Sequence, residues 1–259
     1  MTPFDGIFID RYLSPNFNRR PENQAPDMVI LHYTGMESGD AACDRLCDPA
    51  AEVSAHYLVW EDGTIDQMVD PLMRAWHAGV SHWAGRDNLN HYAVGIEIVN
   101  TGKDAFPERQ MQAVLALCQY LKARFDIAQA DFMGHSDIAP TRKDDPGPLF
   151  DWSLLAAGGI GLMPQPLTVQ QQAESEKASR QDICRWLIAL GYAKIDVEED
   201  FGYVISAVQQ HWLPAVYLKY TAGGLLTPDK KGPAATSVDA ATIAVIYSLY
   251  LQKTADPKG

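Results

Sequence analysis

Apolar positions along the chain follow two different rhythms. Met28–Tyr33 (MVILHY) and Ala93–Val99 (AVGIEIV) are short, almost unbroken apolar runs, which predict buried strands. Ala55–Trp60 and Thr64–Val69 flank Glu61-Asp62-Gly63, and the Asp-Gly pair predicts a hairpin turn between two strands. Phe132 and Met133 predict a last short strand before a long loop. Between these runs the spacing turns helical. Ser38–Leu46 predicts a short helix, and Pro107–Phe125 a longer one, with apolar residues at Met111, Val114, Leu115, Leu117, Cys118 and Leu121 and Pro107 near its start. Strands mixed with helices make the first part an α/β or α+β unit.

From residue 181 onward the rhythm is helical only. Asp182–Leu190, Phe201–Trp212 and Asp239–Leu251 predict three helices, separated by Gly191, Pro214 and the turn-rich TAGGLLTPDKKGP. The polar PQPLTVQQQAESEKASR between the two parts predicts a linker. The expected organisation is therefore a domain over 1–163, a linker over 164–180 and a small three-helix domain over 181–259. Charge supports the division. Residues through Met163 carry 12 basic and 23 acidic side chains, whereas the rest carry 9 and 10. Six of the seven histidines also lie in the first part.

A composition of 47% hydrophobic and 21% charged residues excludes a disordered or fibrous chain. A net charge of −12 excludes a nucleic-acid binder, which needs clustered Lys and Arg, and a basic membrane-surface protein. No run reaches the ~18 apolar residues of a spanning helix. The opening MTPFDGIFIDRYL has no basic stretch followed by an apolar one, which favours the cytoplasm unless a leader has been removed. Cys43, Cys47, Cys118 and Cys184 form no disulfide framework. Cys43 and Cys47 read as plain thiols and Cys118 as core.

The chemistry concentrates in LHYTG (31–35), VGIEIVN (94–100) and GHSDIAPTRKDDPGPLFDW (134–152). Strand alternation puts His32 at the end of the Met28–Ile30 row, and Glu97 in a row with Gly95 and Val99. Each alone is ambiguous. His32 alone reads as a satisfied strand-end histidine, and Glu97 equally as an ion-paired core carboxylate. The third segment adds His135, Lys143 and Asp145 in a Gly/Pro-punctuated loop, with Asp145 before Pro146. Two histidines and an aspartate suit zinc, and three protein ligands leave a fourth position open, as in catalytic sites.

These segments, with VSAHYLVWEDGTIDQMVD, AWHAGVS and GRDNLN in order between Met28 and Trp152, resemble the zinc-dependent N-acetylmuramoyl-L-alanine amidases of the type-2 family, which includes phage amidases and animal peptidoglycan-recognition proteins. The resemblance implies a mixed central sheet flanked by helices, with one zinc ion in a surface groove held by His32, His135 and Asp145. It implies Glu97 as the catalytic carboxylate and Lys143 as the lysine beside the metal. AVQQHW (207–212) and VDAATIAVIYSLYL (238–251) are similar to three-helix peptidoglycan-binding domains.

The implied reaction is hydrolysis of the amide between N-acetylmuramic acid and L-alanine, in peptidoglycan or in anhydromuropeptide fragments. His77, Asn100 and Arg86 are candidate substrate contacts. The alternative is a wall-recognition protein without turnover, and the intact His32, His135, Asp145 and Glu97 argue against it. An appended binding domain favours polymer as substrate, whereas the absence of a leader favours small recycled fragments. Oligomeric state is not legible.

Overall fold

A computed structural model describes residues 8–21, 24–192, 200–222 and 238–255. Its strands are β1 (Phe8–Ile9), β2 (Phe17–Arg19), β3 (Met28–Tyr33), β4 (Tyr57–Val59), β5 (Ile65–Gln67), β6 (Met73–Ala75), β7 (His82–Trp83), β8 (Arg86–Asp87), β9 (Ala93–Ile98) and β10 (Phe132–Gly134). Its helices are α1 (Gly39–Cys47), α2 (Glu108–Phe125), α3 (His135–Ile138), α4 (Trp152–Ala157), α5 (Val169–Ser175), α6 (Arg180–Leu190), α7 (Phe201–Trp212), α8 (Pro214–Ala222) and α9 (Ala240–Ala255).

The central sheet runs β1-β5-β4-β9-β3-β10. Only the β4–β5 pair is antiparallel, so the sheet is mixed as expected. The Asp-Gly turn joins that pair, with Gly63 at φ +86°. Parallel strands need cover on both faces, and alternation along β3 supplies it. Val29 and Leu31 join Val94, Ile96 and Ile98 against the apolar stripe of α2, Met111, Val114, Leu117, Cys118 and Leu121. Each such fully buried side chain contributes roughly 1.5–3 kcal/mol.

Met28 and Ile30 point the other way. They share one apolar cluster with Ala93, Met133, Ile183 and Leu187 of α6, Val204 and Val208 of α7, and Ile246 and Leu249 of α9. The C-terminal helices therefore cover the second sheet face, and this core is continuous across the 164–180 stretch. That stretch is itself docked. Ser248 binds both the backbone N–H and the carbonyl of Gln165, each at 2.7 Å. Helix α5 forms within it behind a Thr168–Gln171 capping box.

Besides the three helices expected after residue 180, α8 starts at Pro214. Proline at a first helical turn loses no hydrogen bond, so Pro214 opens a helix rather than merely separating two. Most of the turn-rich 221–233 stretch lies outside the described residues. The four cysteines are free thiols, with Cys118 in the core. Among the described residues no helix is long and apolar enough to cross a membrane.

Candidate metal centre

Strand register assembles the site. In the parallel β3–β9 pair, His32 lies directly opposite Glu97. On the other side of β3, Gly134 of β10 lies opposite Leu31, so His135, the next residue, arrives beside His32. Asp145 is tied to the same turn, because its carbonyl accepts the Ser136 N–H at 2.9 Å. A side chain at Gly134 could not fit there, since a Cβ would meet Pro146 Cδ at 2.7 Å.

His32 Nδ1, His135 Nδ1 and Asp145 Oδ2 form a triangle with edges of 2.9, 2.9 and 3.0 Å. All three residues are buried. His135 Nε2 lies 3.0 Å from the Ala78 carbonyl, so a proton on Nε2 is satisfied there and Nδ1 is then an acceptor. That lone pair faces a carboxylate oxygen at 3.0 Å. Two acceptors so placed repel unless a cation lies between them, and this donor set suits a divalent metal ion. Burial pushes the His32 imidazole down to about 4, so the ring is neutral at ordinary pH.

Glu97 behaves oppositely. Burial, and then the charge of Asp145, push its carboxyl well above the usual range, against the opposing pull of Lys143. Its Oε2 is buried with no hydrogen-bond partner. The residues converge on a cleft of about 360 Å³ lined by His32, Tyr33, His77, Glu97, His135, Lys143 and Asp145, with Arg45, Trp76 and Arg142 along its walls. Asp145 reaches it from a turn and Lys143 from the irregular stretch just before it.

Of the three candidate substrate contacts, only His77 lines this cleft. Its Nδ1 lies 3.0 Å from His32 Nε2, and its ring occupies the space over Gly95, where a Cβ would meet it at 2.3 Å. Asn100 instead closes its own loop, accepting the Gly102 N–H and donating to the Asp104 carbonyl. Arg86 pairs with Asp27 at 2.7 Å and lies over the Tyr92 ring. His56 is a structural residue. Its Nδ1 accepts the Gly95 N–H, and Nε2 faces the Met73 carbonyl.

Two residues not singled out from the sequence support the cleft. Asn90 Oδ1 accepts the N–H groups of both His77 and Ala78, fixing the segment behind both imidazoles. Arg142 donates to the carbonyls of Ala78 and Val80. Asn90 lies within GRDNLN and Arg142 beside Lys143, so position within the motifs was the available signal.

Comparison with known proteins identifies the family. A family model described as N-acetylmuramoyl-L-alanine amidase matches residues 22–148. The 1,6-anhydro-N-acetylmuramyl-L-alanine amidase AmpD of Salmonella typhimurium is 36% identical over 171 residues, spanning 59% of this chain and 91% of its own. The chain belongs to the N-acetylmuramoyl-L-alanine amidase family. The N-acetylmuramoyl-L-alanine amidase AmiD of Escherichia coli is 35% identical to this amidase over 215 residues, 73% of this chain and 76% of its own. The structure of AMPDH3 from Pseudomonas aeruginosa superposes with a TM-score of 0.75 at 30% identity, covering 90% of this chain and 94% of that one. AmiD in complex with anhydro-N-acetylmuramic acid-L-Ala-D-gamma-Glu-L-Lys gives 0.71 at 30% identity, covering 90% and 93%. These spans are too long to exclude the C-terminal helices. The enzyme class follows with the family, and the alternative of a recognition protein without turnover is set aside.

Proposed function

We propose that this amidase is a one-zinc hydrolase whose metal is held by His32, His135 and Asp145, and that its substrates are anhydromuramyl peptides. The convergence of His32 Nδ1, His135 Nδ1 and Asp145 Oδ2 in one cleft with Glu97, whose buried Oε2 has no hydrogen-bond partner, carries this reading. A zinc ion there supplies Lewis-acid polarisation of the scissile carbonyl and lowers the pKa of a nearby water toward ~7.

Glu97, the adjacent carboxylate, removes a proton from the attacking water. Its upward-shifted pKa lets it hold that proton and deliver it to the nitrogen of L-alanine as the amide bond to the lactyl carbonyl breaks. The products are a free muramic carboxylate and a peptide with a free amine. Lys143 places a positive charge at the cleft wall, where the carbonyl oxygen gains negative charge. His77 orients the His32 ring from behind.

The substrate class is supported by relatives of similar extent. AmiD has been solved in complex with an anhydromuramyl peptide, and AMPDH3 in complex with anhydromuramic pentapeptide. Incubation of the zinc-loaded protein with anhydromuropeptides and with intact sacculi, read by mass spectrometry, tests the proposal. Release of peptide from anhydromuropeptides, abolished by a chelator and restored by zinc, is expected. Chelator-resistant release would remove the metal, and release from sacculi alone would remove the proposed substrate.

A further inference from the structure

A buried polar cluster joins the C-terminal helices to the turn that carries His135. Asp137, on α3, is 1% exposed, yet its carboxylate accepts three hydrogen bonds. Oδ2 accepts the Gly134 N–H at 2.9 Å and faces His211 Nδ1 at 2.8 Å, and Oδ1 accepts the Tyr192 O–H at 2.9 Å. Only the first of these is local. His211 is on α7, and Tyr192 follows α6.

The His211 ring is held from both sides. It stacks on Trp152 at 3.7 Å and on Trp212 at 3.8 Å. Tyr192 packs edge-on against Trp83 at 4.9 Å. Trp152 and Trp83 belong to the first part of the chain, so both contacts cross the 164–180 stretch.

The bond from Gly134 N–H to the Asp137 carboxylate closes a turn whose second residue is His135. The next N–H, of Ser136, holds the Asp145 carbonyl. Two of the three metal-binding side chains thus hang on a turn clamped by one carboxylate. That carboxylate is aimed by groups from the C-terminal helices.

We infer that His211 and Tyr192 are positioning residues for the metal centre: through Asp137 they set the backbone on which His135 and Asp145 are mounted, so the C-terminal helices complete the site as well as covering the sheet. This inference rests on the metal reading above. A buried acceptor stripped of a partner carries an unpaired polar group, and the turn would re-aim to satisfy it. Loss of a direct partner of a metal ligand costs about 10–100-fold in metal affinity, and groups that act through the backbone of the ligand turn are expected at the lower end of that range.

The test compares wild type, Tyr192→Phe, His211→Phe and His211→Asn as full chains. Zinc affinity is read by chelator competition, and the cobalt(II)-loaded proteins are compared by visible absorption. Tyr192→Phe deletes one O–H with little change of shape. His211→Phe keeps a stacked ring but loses the donor, and His211→Asn can restore a nitrogen near the Nδ1 position. Zinc affinity lower by about 10-fold or more in both Phe variants, an altered cobalt spectrum, and recovery in His211→Asn are expected. If His211→Phe fails to fold, Tyr192→Phe decides alone. Wild-type affinity and spectrum in Tyr192→Phe overturn the inference while leaving the metal reading intact. A wild-type protein that binds no zinc overturns the metal reading, and this inference with it.

Discussion

The two faces of the central sheet are cut from the same strands and end differently. The face of Val29, Leu31, Ile96 and Ile98 is apolar throughout and closed by α2. The opposite face starts with Met28 and Ile30 under the C-terminal helices and ends with His32 beside Glu97 in a cleft. One alternation of side chains therefore separates stability from chemistry. Substitutions on the first face should act on folding, and those at the end of the second on turnover.

The largest expected effect is at Glu97. Glu97→Ala should lower kcat by about 10²–10⁴-fold, the usual worth of a general acid–base. Zinc content and melting temperature should stay close to wild type. Retained turnover would take Glu97 out of the reaction. On the closed face, Leu117 is fully buried in α2. Leu117→Ala should cost about 2–5 kcal/mol in urea unfolding while leaving kcat per folded molecule unchanged. An equal loss of kcat would mean the faces are not separable.

His56 adds a test through pH. Burial, and then Arg20, push its imidazole from 6.5 to about 3, so the folded protein holds it neutral. The unfolded chain takes up that proton first. Its stabilising contribution is therefore complete above 6.5 and declines as pH falls from 6.5 toward about 3. Denaturation midpoints across that window should fall more steeply in wild type than in His56→Asn, and parallel curves would remove His56 as the cause. The smallest effect is expected at Ser179, whose Oγ caps α6 by accepting the Asp182 N–H. Ser179→Ala should cost about 1 kcal/mol, with no change in kcat.

Long periodic stretches were legible from the residues alone. MVILHY, AVGIEIV and the Pro107–Phe125 helix appear within a residue or two of their expected limits. The two-residue strands β7 and β8 were not, because two residues carry no period. Helix α8 was hidden by reading Pro214 only as a breaker. In the site, the motifs named His32, Glu97, His135, Lys143 and Asp145, which share one cleft. What supports them was less visible. The Ala78 carbonyl behind His135 has no side-chain signature. The Asp137–His211 contact spans 74 residues, and no local spacing encodes it.

The central claim is that one zinc ion binds where His32, His135 and Asp145 converge. Elemental analysis of the purified chain beside His32→Ala, His135→Ala and Asp145→Ala measures it directly, with circular dichroism confirming that each variant is folded. The account predicts one zinc per wild-type chain and loss of stoichiometric zinc from all three folded variants. Full zinc content in any of those folded variants, or a fully active wild-type chain without zinc, would contradict it.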